Sequence, residues 1–165
     1  MIDRRLRLAA LVAVCVVVVD QATKTLVEHT MTLYESIPLL PFLSLTYVRN
    51  TGAAFGLLRD LPVALRLPLF VVVTVVAVAT LWSYLRQVRA DELWVAGALG
   101  GILGGAAGNF ICRVRYGEVV DFVHLHYRGF DWPMFNVADS AISIGVALVL
   151  VHSLRSQPRA QAATD

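Results

Sequence analysis

Charge is scarce in this chain. Asp, Glu, Lys and Arg make up 16% of its 165 residues, against about 25% in a typical soluble domain. The net charge is only +2, and Arg and Lys are scattered with no basic stripe interleaved with aromatics. No nucleic-acid partner is expected. Cysteine is limited to Cys15 and Cys112, both in apolar blocks where a free thiol behaves as a small hydrophobe, so no disulfide framework is expected. There is no Ser-centred nucleophile elbow and no Cys/His pair in reach, which disfavours covalent catalysis. His124 and His126 have a spacing that can bind zinc but lack a third ligand, so no metal is expected. Repeats and low-complexity runs are also missing, apart from a polar tail at 156–165 that reads as disordered.

What the chain has in excess is hydrocarbon. Hydrophobic residues are 58% of the total and mean hydropathy is +0.68. They fall in four blocks, at about 6–27, 63–85, 93–112 and 135–154, each long enough to cross a hydrocarbon core of about 30 Å. Lipid accepts only helices or closed barrels, and these continuous runs lack a barrel strand's alternation. The fold expected is an α-helical membrane protein, one membrane domain over 1–165 with four transmembrane helices. Arg4, Arg5 and Arg7 ahead of the first block suggest a signal peptide, and Val12-Ala13-Val14-Cys15 faintly resembles a lipoprotein cleavage box. The residue before that cysteine is Val rather than a small one, and the apolar run continues to Val19, so a retained first helix is expected.

An up-and-down path puts Arg4, Arg5, Arg7, Arg86, Arg89, Arg155 and Arg159 on one side, which the positive-inside rule makes cytoplasmic; Arg49, Arg59, Arg115 and Arg128 lie opposite. The same path brings the loops 28–62 and 113–134 to one face, and the unusual polar residues gather there. Asp20 lies near the end of the first helix, Asn50 in the first loop, Asn109 and Arg113 at the end of the third helix. Asp121 sits in the second loop, and Asn136 and Asp139 open the fourth helix. With that helix starting at 135, Asp139 lies about 6 Å along it, near the bilayer surface. Within the first loop, Pro38 and Pro41 precede a β-rich run at 42–48 that reads as a strand, followed by an Asn50-Thr51-Gly52 turn. A second strand or hairpin is expected at 118–127, the two forming a small sheet resting on the membrane.

An ionised carboxylate within a bilayer costs at least about 2.5 kcal/mol, so acidic residues in such a chain point to function. Asp139 also suits the positive end of a helix, but Asp121, inside Val119-Val120-Asp121-Phe122-Val123, gains nothing from that. Residue types alone leave three roles for the pair: catalysis, buried structure, or proton relay. A relay predicts carboxylates through the full depth of the membrane, whereas here they cluster at one face. Asp20 and Lys24, at i and i+4, read as an ion pair. Asn109 and Arg113 share a helical face, with Arg113 either snorkelling or holding a backbone carbonyl. In the third helix, Gly97, Gly101 and Gly105 form one ridge of small residues and Gly100, Gly104 and Gly108 another, a pattern for close helix packing rather than phosphate binding.

The chain resembles the lipoprotein signal peptidases, or signal peptidase II family, along nearly its whole length. The resemblance lies in Asp20-Gln21 with Lys24, Asn50-Thr51-Gly52-Ala53-Ala54-Phe55, Gly108-Asn109 with Arg113, Val120-Asp121-Phe122, and Phe135-Asn136-Val137-Ala138-Asp139-Ser140, in that order. It implies four transmembrane helices with a small periplasmic β-sheet, or β-cradle, and an extracytoplasmic loop over the active site. It also implies an aspartyl endopeptidase of the bacterial inner membrane, with both termini cytoplasmic, that cuts diacylglyceryl-modified prolipoproteins before the lipidated cysteine. Asp121 and Asp139 would be the catalytic dyad, with Asn50, Gly52, Asn109, Arg113 and Asn136 around the substrate and Asp20 and Lys24 in support. No cofactor is implied. The partners implied are the prolipoprotein, membrane lipid and, as inhibitors, cyclic peptide or macrolactam antibiotics of the globomycin type. The chain departs from the family at Cys112, where an Asp usually precedes the arginine.

Overall fold

The computed structural model describes residues 3–52, 58 and 61–156. It contains α1 (Arg4–Thr30), β1 (Ser36–Leu40), β2 (Leu43–Asn50), α2 (Val63–Gln87), α3 (Leu93–Tyr116), β3 (Val119–Tyr127), β4 (Phe130–Asp131) and α4 (Val137–Ser156). All four helices are long and apolar enough to cross a membrane. Asp3 caps the first by accepting from the Arg5 backbone N–H at 3.0 Å. The third ends at Gly117, whose φ of 75° is the left-handed cap that glycine adopts most readily.

Helix α3 is the axis of the molecule. In its most apolar window 67% of residues are buried, against 11% in each of the other helices, whose outer faces are left to lipid. Its two glycine ridges serve different neighbours. A Cβ at Gly104 would lie 2.6 Å from Ala13 O, and one at Gly108 would lie 2.5 Å from Asp20 Oδ2, so this ridge seats α1. Gly105 abuts the Ala138 carbonyl and Gly101 faces that of Ala141, so the second ridge seats α4. Gly97 meets nothing. Helix α2 packs on α3 through a core that includes Leu85, Val88, Val95 and Leu99.

The four strands form one antiparallel sheet in the order β1-β2-β3-β4. Pairing of β2 with β3 joins the two long loops on one face, as the up-and-down path requires. The last two strands meet in a hairpin whose two turn residues, Arg128 and Gly129, both have positive φ, 49° and 85°. That is the type I′ geometry matching the right-handed strand twist.

Several boundaries differ from the hydropathy reading. Helix α1 runs on to Thr30, α2 to Gln87 and α3 to Tyr116, because charged and polar ends continue a helix that hydropathy alone cannot follow. Helix α4 begins at Val137, two residues later than expected. Phe135 is held instead by β3, donating to Val123 O at 3.1 Å and accepting from Val123 N at 2.8 Å. Asp139 therefore lies in the first turn, about 3 Å along the helix rather than 6. Strand β1 was not legible because Pro38 sits inside it; it is an edge strand with an irregular register between Pro38 and Leu40, where a missing N–H is tolerated. Strand β2 extends through Asn50, which pairs with Val119 and also opens the expected turn, its Oδ1 accepting from the Gly52 backbone N–H at 2.9 Å. The motif residues Ala53, Ala54 and Phe55, and the polar tail after Ser156, lie outside the described residues.

Candidate active site

Asp121 stands on β3 opposite Val48 and is only 2% exposed. Its Oδ2 accepts from Asn50 Nδ2 at 2.9 Å and its Oδ1 from Asn136 Nδ2 at 2.6 Å. Asp139, in the first turn of α4, accepts from Asn109 Nδ2 at 2.7 Å on Oδ1 and from the Asn136 backbone N–H at 3.2 Å on Oδ2. Each of the four carboxylate oxygens thus has one neutral N–H donor. Asn136 touches both acids and sets them within one residue's reach of each other.

The local reason is a helix cap. Asn136 immediately precedes α4, and its Oδ1 accepts from the Asp139 backbone N–H at 3.0 Å while the Asp139 carboxylate returns the bond to Asn136 N. This reciprocal arrangement satisfies donors that a helix start leaves open. The structural role expected of Asp139 at a helix N-terminus and its membership of the pair are therefore the same geometry. Burial, followed by the Asp139 charge, pushes Asp121 up to about 6, against the opposing donation from Asn50 and Asn136 and the charge of Lys24.

Behind the acids lies a second polar layer on α1. Lys24 and Asp20 form a buried pair at 2.8 Å, as their spacing predicts. Asp20 also accepts from the Ala138 backbone N–H at 3.0 Å, anchoring the start of α4 to α1. Lys24 Nζ donates to Asn109 Oδ1 at 2.8 Å. Gln21 donates to Asp20 at 3.0 Å, to Gly108 O at 3.1 Å and to Cys112 Sγ at 3.6 Å. The Cys112 thiol is therefore buried against Gln21, and Cys15 is also a free thiol.

Arg113 reaches the Gly52 carbonyl with Nη2 at 3.2 Å, and its guanidinium carbon lies 4.4 Å from the Phe70 ring centroid. Its Nε is buried with no hydrogen-bond partner among the described residues. Gly52 N in turn donates to Asn50 Oδ1 at 2.9 Å, which leaves the Asn50 amide nitrogen facing Asp121. Phe70 gave no sign of this role in the sequence, since it sits in an unbroken apolar run.

The structure thus brings together Asp20, Lys24, Asn50, Gly52, Asn109, Arg113, Asp121, Asn136 and Asp139. The amides of Asn109 and Asn136 are buried and spend their bonds on Lys24, on each other and on the two acids, so they hold carboxylates rather than offering an open surface. His124 and His126 stay apart from this cluster: His124 Nε2 lies 3.0 Å from Asp131 Oδ1 and His126 Nε2 lies 2.9 Å from Ser44 Oγ.

Four spanning helices around a glycine-ridged axis, with two bridged carboxylates where the helices meet a small sheet, define an integral membrane protein with a polar cluster at one face. The family described as signal peptidase (SPase) II matches residues 12–155. The lipoprotein signal peptidase of Geobacter sulfurreducens is 50% identical over 143 residues, covering 86% of this chain and 88% of that protein. The lipoprotein signal peptidase of Syntrophotalea carbinolica is 47% identical over 157 residues, covering 94% and 96%. Two bacterial membrane enzymes solved by the in meso method have similar folds. One has a TM-score of 0.82 at 34% identity, with 95% of this chain and 93% of that one covered. The other has a TM-score of 0.79 at 37% identity, with 90% and 93% covered. The chain belongs to the signal peptidase II family and is a membrane peptidase.

Proposed function

We propose that the protein is an aspartyl endopeptidase that removes signal peptides from diacylglyceryl-modified prolipoproteins, cutting before the lipidated cysteine. The observation that carries this reading is the bridging of Asp121 and Asp139 by Asn136, with one donor on every carboxylate oxygen. Two like charges held so close favour a single shared proton, the condition for activating water without a metal.

Asp121 carries that proton and Asp139 the charge, which the start of α4 stabilises. Asp139 accepts a proton from the attacking water while Asp121 gives its proton to the scissile carbonyl oxygen, forming a neutral tetrahedral diol. Collapse of the diol breaks the C–N bond, the proton on Asp139 passes to the leaving amine, and a diol hydroxyl returns one to Asp121. Arg113, whose buried Nε–H has no partner among the described residues, is suited to hold a substrate carbonyl beside Gly52. The site lies toward the periplasmic face of the inner membrane with both termini cytoplasmic. Acyl chains of the substrate stay in the bilayer, and antibiotics of the globomycin type compete for the site. The signal helix does not enter through the glycine ridges of α3, because α1 and α4 already occupy them.

Mass analysis after incubating the purified protein with a diacylglyceryl-modified prolipoprotein tests this directly: product beginning at the lipidated cysteine is expected, and cleavage elsewhere removes the assignment. A proton relay through the same acids predicts flux in liposomes without cleavage. The pair also predicts a pH dependence. Only the singly protonated pair is active, and Asp121 loses its proton at about 6 in the free enzyme. kcat/KM should therefore fall as pH rises past that value, approaching tenfold per pH unit. A profile that keeps rising to pH 8 would contradict the shared proton.

A further inference from the structure

We propose that Lys24 is a positioning residue of the cleavage reaction, holding the Asn109 amide with its oxygen toward α1 and its nitrogen toward Asp139. The inference rests on the reading of Asp121 and Asp139 as the reacting pair, and it gives Lys24 a task beyond neutralising Asp20.

Donor and acceptor direction fixes the Asn109 amide. An ammonium can only donate and an ionised carboxylate can only accept, whereas an amide presents one of each and can be turned over. Asn109 sits between the two kinds of group. Its Oδ1 faces Lys24 Nζ at 2.8 Å and its Nδ2 faces Asp139 Oδ1 at 2.7 Å. Turning the amide over would set N–H against N–H on the α1 side and oxygen against oxygen on the α4 side. Asn136 Nδ2 reinforces the same orientation by donating to Asn109 Oδ1 at 3.1 Å. Asn109 and Lys24 are both buried, so water cannot substitute for either partner. Lys24 therefore reaches the reacting acid of α4 through a single amide on α3.

The charge reaches Asp121 as well. Among the described residues, the charged groups that act on Asp121 are Asp139 from α4, Lys24 from α1 and Arg113 from α3, with Asp20 paired to Lys24. Among these Lys24 favours the ionised form of Asp121. Without it the singly protonated pair persists to higher pH while Asp139 loses its oriented donor.

The test uses the full-length enzyme and a diacylglyceryl-modified prolipoprotein, with kcat, KM and the pH profile measured for K24M, N109A, D20N and the double variant K24M/N109A. K24M is expected to lower kcat about 10- to 100-fold, the range for losing a hydrogen bond to a charged group, with KM within about twofold. Its alkaline limb moves to higher pH. Because Lys24 acts through Asn109, K24M/N109A is expected to be no slower than N109A. D20N breaks the same ion pair but leaves the ammonium on Asn109, so its alkaline limb does not move upward. If K24M fails to fold, D20N/K24M removes the pair as a unit, leaves no unpaired buried charge, and reads the same rate and limb. A wild-type kcat and pH profile in a folded Lys24 variant, or fully multiplicative losses in K24M/N109A, would overturn the inference. Undiminished cleavage by D121N and D139N would overturn the acid pair itself.

Discussion

Replacing Asp121 or Asp139 by Asn is expected to lower cleavage of a lipidated precursor by at least about 1000-fold, within the range for removing a general acid or base. The fold should survive both changes. Each oxygen of Asp121 receives an N–H from a neutral amide, so an Asn at 121 keeps its oxygen on one donor and must turn or lose only the other bond. Where Asp121 has lost its proton, above about 6, the change also removes a buried charge, which offsets that loss. At 139 the side-chain oxygen can still accept from either Asn109 or the Asn136 backbone, preserving part of the cap of α4. Melting temperature in detergent, measured beside turnover, separates the chemistry from the fold. Turnover within tenfold of the parent in both variants would mean that the two acids are structural.

The second large effect is on helix packing rather than on the acids. G104A should destabilise the protein by about 3 kcal/mol, because the new methyl would sit 2.6 Å from the Ala13 carbonyl oxygen and 2.9 Å from Ala13 Cα, both backbone atoms that cannot swing aside. In apparent melting temperature that is roughly 6–12 °C for a chain of this size. G97A is the control. A methyl there meets nothing within 4 Å, and the change is expected to cost no more than about 0.5 kcal/mol. Equal melting temperatures for the two variants would show that α1 does not depend on the ridge of Gly100, Gly104 and Gly108.

These two predictions draw on different amounts of information in the chain. That α3 packs closely was legible from its glycine spacing. Which ridge meets α1 and which meets α4, and that Gly97 meets neither, required the arrangement of the helices. The tail of α3 through Arg113 and Arg115 to Tyr116 shows the limit of hydropathy, since an interfacial helix end can carry charge without breaking its hydrogen-bond ladder. Strand β1 was hidden by Pro38, a residue excluded from central strands but acceptable at the edge position the sheet gives it.

At the site, Asp20 with Lys24 was a local i, i+4 inference and held in three dimensions. The roles of Asn109 and Asn136 were not local. An asparagine at the mouth of a membrane protein reads as ready to bind a substrate backbone, and only the neighbours show its bonds already taken by Lys24, Asp121 and Asp139. Phe70 beneath Arg113 and Gln21 against Cys112 belong to the same class.

By itself the sequence determined that this is a membrane protein of four helices with its polar residues gathered at one face. Hydrophobic length and the cost of burying charge in lipid are additive along a chain, so they can be read from it. Tertiary structure decided which donor meets which acceptor: the bridging of two acids by Asn136, the direction of the Asn109 amide, and the capping of α4 by the residues that hold the pair. Hydrogen bonds depend on direction at a range of about 3 Å, and no spacing along the chain specifies that for residues brought together from three helices and a strand.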